Sequence, residues 1–198
     1  MPLDAYEIDL EGAYIYPGFI DGWFEVKKDE KTISPDDHWN NKIKANYRAK
    51  DDLKIKEKDL KALRALGLTA VHIIPEEGIF KGKSDLVMLN NEFKSFKKDV
   101  AQIIDFKTTG WSDRSYPNSL LGVMALIRQT LMDADWYYNS TQIIEKYPEQ
   151  NPLIPFHPSL SELSDFRLNR KPILFVTKEE HGALRGLKIA DEFNLNPW

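Results

Sequence analysis

Apolar residues recur along the chain with two periods, and the switch between them marks its elements. Leu60, Leu63 and Leu66 are spaced as on one helix face, with Ile55 a turn earlier, so residues 53–66 are predicted helical. Gly67 follows where a C′ glycine closes a helix. The next run, Leu68-Thr69-Ala70-Val71-His72-Ile73-Ile74-Pro75, reads as a short buried strand. Helix, glycine stop and apolar strand form the second half of a βαβ unit, which predicts a parallel α/β fold. Leu120, Val123, Met124, Ile127, Leu131 and Ala134 keep the 3,4 spacing of the longest helix, with Asn118 or Ser119 as N-cap. Leu121, Leu126 and Trp136 widen that stripe and predict burial on more than one side. Core packing accounts for the stripe without a cofactor.

Pro172-Ile173-Leu174-Phe175-Val176-Thr177 is a second buried strand, and residues 179–193 a helix with Leu184, Leu187, Ile189 and Ala190 near one face. Shorter strands are expected over residues 85–89 and 101–106, and a short helix over 159–166 after a loop with four prolines. Residues 194–198 read as a turn into a further strand that the chain ends before forming. Near the start, residues 7–15 suggest two short strands around Glu11-Gly12. Ser34-Pro35-Asp36-Asp37 has the order of a helix start. The lysine-rich stretch 42–61 is interleaved with Asp51, Asp52, Glu57 and Asp59 and reads as a solvated helix face, not an anion-binding patch.

Two stretches carry more than periodicity. Tyr14-Ile15-Tyr16-Pro17-Gly18-Phe19-Ile20-Asp21-Gly22-Trp23-Phe24-Glu25 sets a Pro-Gly turn between apolar runs, predicting a strand entering at Ile15 and a second one leaving. Glu76-Glu77-Gly78-Ile79-Phe80-Lys81-Gly82-Lys83-Ser84 invites comparison with a phosphate-binding loop. Only three residues separate Gly78 from Gly82, where the P-loop needs four, and a strand pattern follows instead of a helix, so nucleotide binding is not expected.

The 198 residues make one domain the default. A 29% charged fraction argues against a membrane protein, and a net charge of -4 against a nucleic-acid surface. Met1-Pro2-Leu3-Asp4 has neither a basic nor an apolar leader region, so no signal peptide is expected here, although a longer parent could be exported and the compartment stays open. With no Cys, thiolate metal sites and Cys nucleophiles are excluded. No G-x-S-x-G elbow is present. Of the four histidines, His72 lies in an apolar strand, where a hydrogen-bonded structural role is expected. His157 sits in a Pro-flanked loop, His181 near a helix start, and His38 in a polar stretch; no pair has metal-site spacing.

The Pro17–Asp21 junction, the Gly78–Val87 loop and the Ser119–Thr130 helix, taken in order, resemble the amidohydrolase superfamily in its imidazolonepropionase-like branch. That resemblance implies a partial (β/α)8 TIM-barrel-like segment over residues 17–198, preceded over residues 1–16 by remnant strands of a small β-sandwich. It also implies metal-dependent hydrolysis of C–N bonds, with zinc or another divalent cation held at the C-terminal ends of the strands. The family's His-x-His positions fall on Trp23 and Glu25, and a later histidine position on Thr177. An indole offers only an N–H donor and cannot ligate a cation. No catalytic residue, cofactor or metal site is therefore expected in this chain.

A barrel removes its sheet edges only when every strand is present, and about half are countable here. The chain is accordingly expected to pair with itself, with the remainder of a longer parent, or within a rearranged sheet. Three functional readings follow. The first is a catalytically silent amidohydrolase-like segment with a structural role. The second is a hydrolase with an atypical site using Glu25, Asp21 and residues from beyond the chain end. The third is a small-molecule binding module with an aromatic mouth of Trp23, Phe24, Phe80 and Trp111.

Overall fold

The computed structural model describes residues 9–27, 38–108, 115–149 and 152–198. The helix start at Ser34-Pro35-Asp36-Asp37, Trp111 and the first residues of the expected N-terminal strands lie outside them. The described part is a mixed α/β fold of two four-stranded sheets and four α-helices.

β1 (Phe19–Val26) precedes α1 (Glu57–Ala65), and the chain then returns in β2 (Leu68–Pro75), which lies parallel to β1. The predicted βαβ half-unit is thus complete. Gly67 adopts φ +83° as the helix stop, a conformation that favours glycine. β3 (Phe80–Lys83) and β4 (Asp85–Met88) then diverge into different sheets. β4 pairs antiparallel with β2 and with β5 (Ser95–Lys97), giving the order β1-β2-β4-β5. β3 pairs antiparallel with β6 (Gln102–Asp105), which runs parallel to β7 (Pro172–Val176), itself parallel to β8 (Asn196–Pro197). Between β6 and β7 lie α2 (Leu120–Lys146) and α3 (Pro158–Leu168), and between β7 and β8 lies α4 (Glu180–Glu192).

The larger core forms where α2, α3 and α4 cover the β3-β6-β7-β8 sheet: Val123, Ile127 and Leu131 meet Phe80, Ile104, Leu163 and Ile189. A small cluster of Ile74, Ala101 and Ile103 joins β2 to β6 and so joins the two sheets. Ser119 caps α2 as expected, its hydroxyl accepting from Gly122 N–H at 3.2 Å.

Several expectations are corrected. Residues 9–18 contain the turn at Glu11-Gly12, closed by Ala13 N–H to Leu10 O at 2.9 Å, but no strand. No partner strand lies beside them among the described residues, and Tyr14, Ile15 and Tyr16 stay exposed. The junction therefore has one strand, not two. Gly18 serves close approach rather than positive φ: a Cβ there would lie 2.0 Å from Thr69 Cγ2.

The 42–61 stretch is not a solvated helix face throughout. Ile43, Ala45 and Ala49 are buried, and helix begins only at Glu57 apart from a short 3-10 turn at Ala49–Asp52. Leu121 and Trp136 are exposed, because α2 packs on one side only and Leu126 alone of the widening residues is buried. Asn196 and Pro197 do pair with β7.

Glycine is required at Gly82, where φ is +117° and a Cβ would sit 2.4 Å from Tyr47 O. Gly82→Ala should lower the unfolding free energy by roughly 2 kcal/mol or more, read as a fall in the urea midpoint at unchanged slope.

Candidate functional site

At β1 the backbone bulges: Asp21 pairs with Val71, yet the next matched pair is Phe24 with Ile73. The extra residue turns Trp23 outward, 41% exposed. Its backbone N–H donates to Asp21 Oδ1 at 3.0 Å, and its indole Nε1–H to Glu25 Oε1 at 3.3 Å. The two positions that the sequence singles out are therefore bonded to each other. Glu25 also borders an open cavity of about 380 Å³ with Phe24, Val26, Lys27, Asp52, Leu53 and Lys54.

Thr177 lies in the other sheet's layer, directly after β7. It lines a cavity of about 310 Å³ with Asp105, Phe106, Lys107, Val176, Lys178 and Arg185 among others. The two cavities share no residue, so Thr177 is not gathered with Trp23 and Glu25 around one space. Gly182 packs against it so closely that a Cβ would come within 3.0 Å of Thr177 Cβ.

A buried charge pair that the sequence did not signal borders the Thr177 cavity. Lys81 Nζ lies 2.9 Å from Asp105 Oδ2, and Asp105 Oδ1 accepts from Lys107 N–H at 2.9 Å. Lys81 reaches it from β3, a strand whose lysines gave no apolar alternation to read. In the neighbouring loop, the residues that suggested a phosphate cradle have other partners. Lys83 pairs with Glu162 at 2.8 Å, and Ser84 is wholly buried beside His72.

His72 has the structural role expected of it. Nδ1 faces Gly22 O at 3.2 Å and Nε2 faces Ser84 Oγ at 2.8 Å. A carbonyl oxygen can only accept, so Nδ1 carries the proton and, in the neutral ring, Nε2 accepts from the Ser84 hydroxyl. Ser84 Oγ in turn accepts from Ala101 N–H at 3.2 Å. Burial pushes the imidazole below its ordinary pKa, against the opposing pull of Gly22 O and Asp85.

His38 and His157 come together with ring centroids 5.4 Å apart in an edge-to-face arrangement. Nothing in their spacing announced it. His38 Nδ1 accepts from Asn40 N–H at 3.1 Å, and burial together with His157 lowers its pKa, with Asp133 opposing. His181 is exposed on the first turn of α4. The proposed aromatic mouth does not assemble. Phe80 is fully buried and Phe24 packs against the core beneath β1, leaving Trp23 alone exposed among the described members.

At the three positions that the resemblance assigns to metal ligands stand an indole N–H, a threonine hydroxyl and a carboxylate that accepts a hydrogen bond from that indole. Among the described residues, no three His, Cys, Asp or Glu side chains group as cation donors.

No family model matches the chain, and no curated protein matches it. The fold is similar to the crystal structure of an amidohydrolase from Thermotoga maritima MSB8, with a TM-score of 0.81 at 19% identity. The likeness covers 100% of this chain and 54% of that one, so the chain spans about half the length of its structural neighbour.

The lowered pKa values of His72 and His38 fix a pH dependence. An imidazole whose folded pKa is depressed adds stability above its unfolded value, near 6.5. That stability is lost as pH falls through the folded pKa. Unfolding free energy should therefore fall on acidification from about pH 7.5 to 5. His72→Gln should flatten part of that slope in urea titrations at several pH values.

Proposed function

We propose that this chain is a partial (β/α)8-barrel-like segment of an amidohydrolase-like protein, with a structural role and no hydrolytic centre of its own. Residues 17–198 form the barrel-like part and residues 1–16 lead into it. The imidazolonepropionase-like branch, in which the junction reads Pro-Gly-Phe-Ile-Asp, is the source of the likeness at Pro17–Asp21.

The fold similarity supports the scaffold, and one observation carries the silence of the centre. Trp23 donates its indole N–H to Glu25 at the two positions where the resemblance expects metal-binding imidazoles. Generating a hydroxide at neutral pH needs a cation with several anionic or imidazole ligands and an open position. Here one of those positions contributes a donor, and the other spends acceptor capacity on satisfying it. Asp21, the second carboxylate an atypical site would recruit, accepts from Trp23 N–H.

In this reading the scaffold contributes layers and edges to an assembly. The parallel strands β1, β2, β6, β7 and β8 supply part of a closed sheet, and the α2-α3-α4 layer supplies its cover. The sheets are completed from outside the described residues.

Purification after expression with added zinc, followed by elemental analysis, should give zinc well below one equivalent per chain. Amide and ester substrates should show no turnover above buffer, and Glu25→Ala should change neither result. Stoichiometric zinc, or turnover abolished by Glu25→Ala, would favour the hydrolase with an atypical site instead.

A further inference from the structure

β3 ends its sheet, and residues 42–48 lie along its outer side in place of a further strand. Lys42 O accepts from Ile79 N–H at 2.8 Å and from Phe80 N–H at 3.1 Å. Lys44 N–H donates to Phe80 O and Lys83 N–H to Tyr47 O, each at 2.8 Å. This cover is anchored at its start by Asn40, which is buried. Asn40 Oδ1 accepts from Lys42 N–H at 3.0 Å, its carbonyl accepts from Ile43 N–H at 3.0 Å, and its Nδ2–H donates to Tyr116 O at 3.1 Å. Its backbone N–H donates to His38 Nδ1 at 3.1 Å. A second tie follows at Asn46, whose Oδ1 accepts from Ser159 Oγ at 2.7 Å.

His38 is 5% exposed and meets His157 edge to face, with ring centroids 5.4 Å apart. His157 immediately precedes α3, and its backbone N–H donates to Tyr137 OH on α2 at 3.2 Å, so one ring belongs to the cover and the other to the helical layer. A ring nitrogen that accepts carries no hydrogen, so the neutral His38 ring bears its proton on Nε2. A second proton, on Nδ1, would point one N–H at another, that of Asn40, and the bond orienting Asn40 would be lost. With His157 charged as well, two cations would share one buried contact. Among the described residues, the groups whose charge acts on His38 are His157 ahead of α3 and Asp133 on α2, the latter attracting an imidazolium.

We infer that the His38–His157 contact is an acid-operated clasp on the 38–48 cover, closed while His38 is neutral and released, with the cover lifting from β3, when it takes up a proton. Burial first, and His157 second, hold the closed His38 below its ordinary pKa of 6.5. Freed into water, the ring returns to about 6.5. Closure is therefore at full strength above about pH 6.5 and weakens as pH falls through the closed-state value, by up to ~10-fold per pH unit. Release bares Phe80 O and the N–H groups of Ile79 and Lys83 at the end of a sheet, where such groups can pair with another strand. The β3 edge is thus kept covered at neutral pH and offered in acid.

The clasp does not depend on the silence of the centre, since a zinc-binding chain could carry it equally. Amide hydrogen exchange, expressed as protection factors so that the intrinsic pH effect is removed, tests it. Between about pH 7.5 and 5, the amides of Lys44, Ile79 and Lys83 should lose protection roughly 10-fold or more, and by a larger factor than the amides of β7. His38→Gln should abolish that acid-dependent loss. An amide oxygen that accepts from Asn40 N–H keeps the cover closed at both pH values, and one that does not fit leaves it open at both. Asp133→Asn removes the attraction on the imidazolium, so it should lower the His38 titration midpoint read by NMR and deepen the loss at pH 5. Equal losses in the cover and in β7 would mean global unfolding and overturn the inference. A loss that survives His38→Gln, or one made shallower by Asp133→Asn, overturns it as well.

Discussion

Much of the architecture hangs on one buried polar connection. His72, on β2, is bound to Gly22 of β1 and to Ser84, and Ser84 is bound to Ala101 just before β6. Ser84 is the residue at which the chain leaves β3 in one sheet and enters β4 in the other. Its backbone is engaged as well, N–H donating to Ala101 O at 3.0 Å and O accepting from Val100 N–H at 2.8 Å. Four segments from two sheets thus converge on one hydroxyl and one imidazole. Buried polar groups of this sort cost little while every member is paired and much when one is lost. Burial, not this connection, pulls the His72 imidazole below its ordinary pKa, since the Gly22 contact acts in the opposite direction. The Ser84 hydroxyl has a second acceptor in Ala101 O at 3.2 Å.

Around that connection the chain spends glycines and ions to cover an edge. Gly78 and Gly82 adopt φ of +108° and +117°, which lets the backbone of residues 42–48 lie directly on β3. Arg48 at the far end of that segment is tied to Asp85 at 3.1 Å and to Asp99 at 2.7 Å. Asp85 is fully buried and accepts in addition from Ser95 Oγ and Asp99 N–H. Such a carboxylate is tolerable inside because its lone pairs are filled. The loop that resembles a phosphate cradle on paper is, in the fold, the strap fastening one sheet's edge.

How much of this was legible follows from what periodicity can carry. The α1-β2 half-unit, the capped α2, β7 and α4 were readable from their spacing, although β1 buries only Val26 and α4 leaves Leu184 and Leu187 exposed while burying Ile189 and Ala190. β3 was not, since Phe-Lys-Gly-Lys shows no alternation, and its lysines are buried only because Asp105 and Glu162 meet them from other elements. The 42–48 segment escaped for the same reason: its burial is dictated by β3, not by its own pattern. Over residues 9–15 the expected strands did not form for the opposite reason, alternation without a neighbour to pair with among the described residues. At the candidate site, Trp23, Glu25 and Thr177 were readable as positions, but their geometry was not. A bulge joins the first two, and the third belongs to a separate cavity. The His38–His157 contact bridges segments distant in sequence, which no local spacing encodes.

In the proposed reading, an indole at a position where the resemblance expects an imidazole does more than remove a ligand. Neutral imidazole presents a lone pair, whereas indole presents only a hydrogen, so the polarity of the position reverses. A neighbour chosen to accompany a metal ligand would be left facing a donor, and Glu25 is the side chain that accommodates it. The pair is consequently self-sufficient: donor and acceptor satisfy each other at the surface, and neither requires a cation to be stable there. A histidine placed at position 23 would stand beside Glu25, with Asp52 the other carboxylate of that cavity and already accepting from Tyr47 OH, while Thr177 lines a different one. The ligand geometry of a hydrolytic metal would have to be rebuilt across two sheets, whereas the packing of those sheets depends on Ser84 and His72.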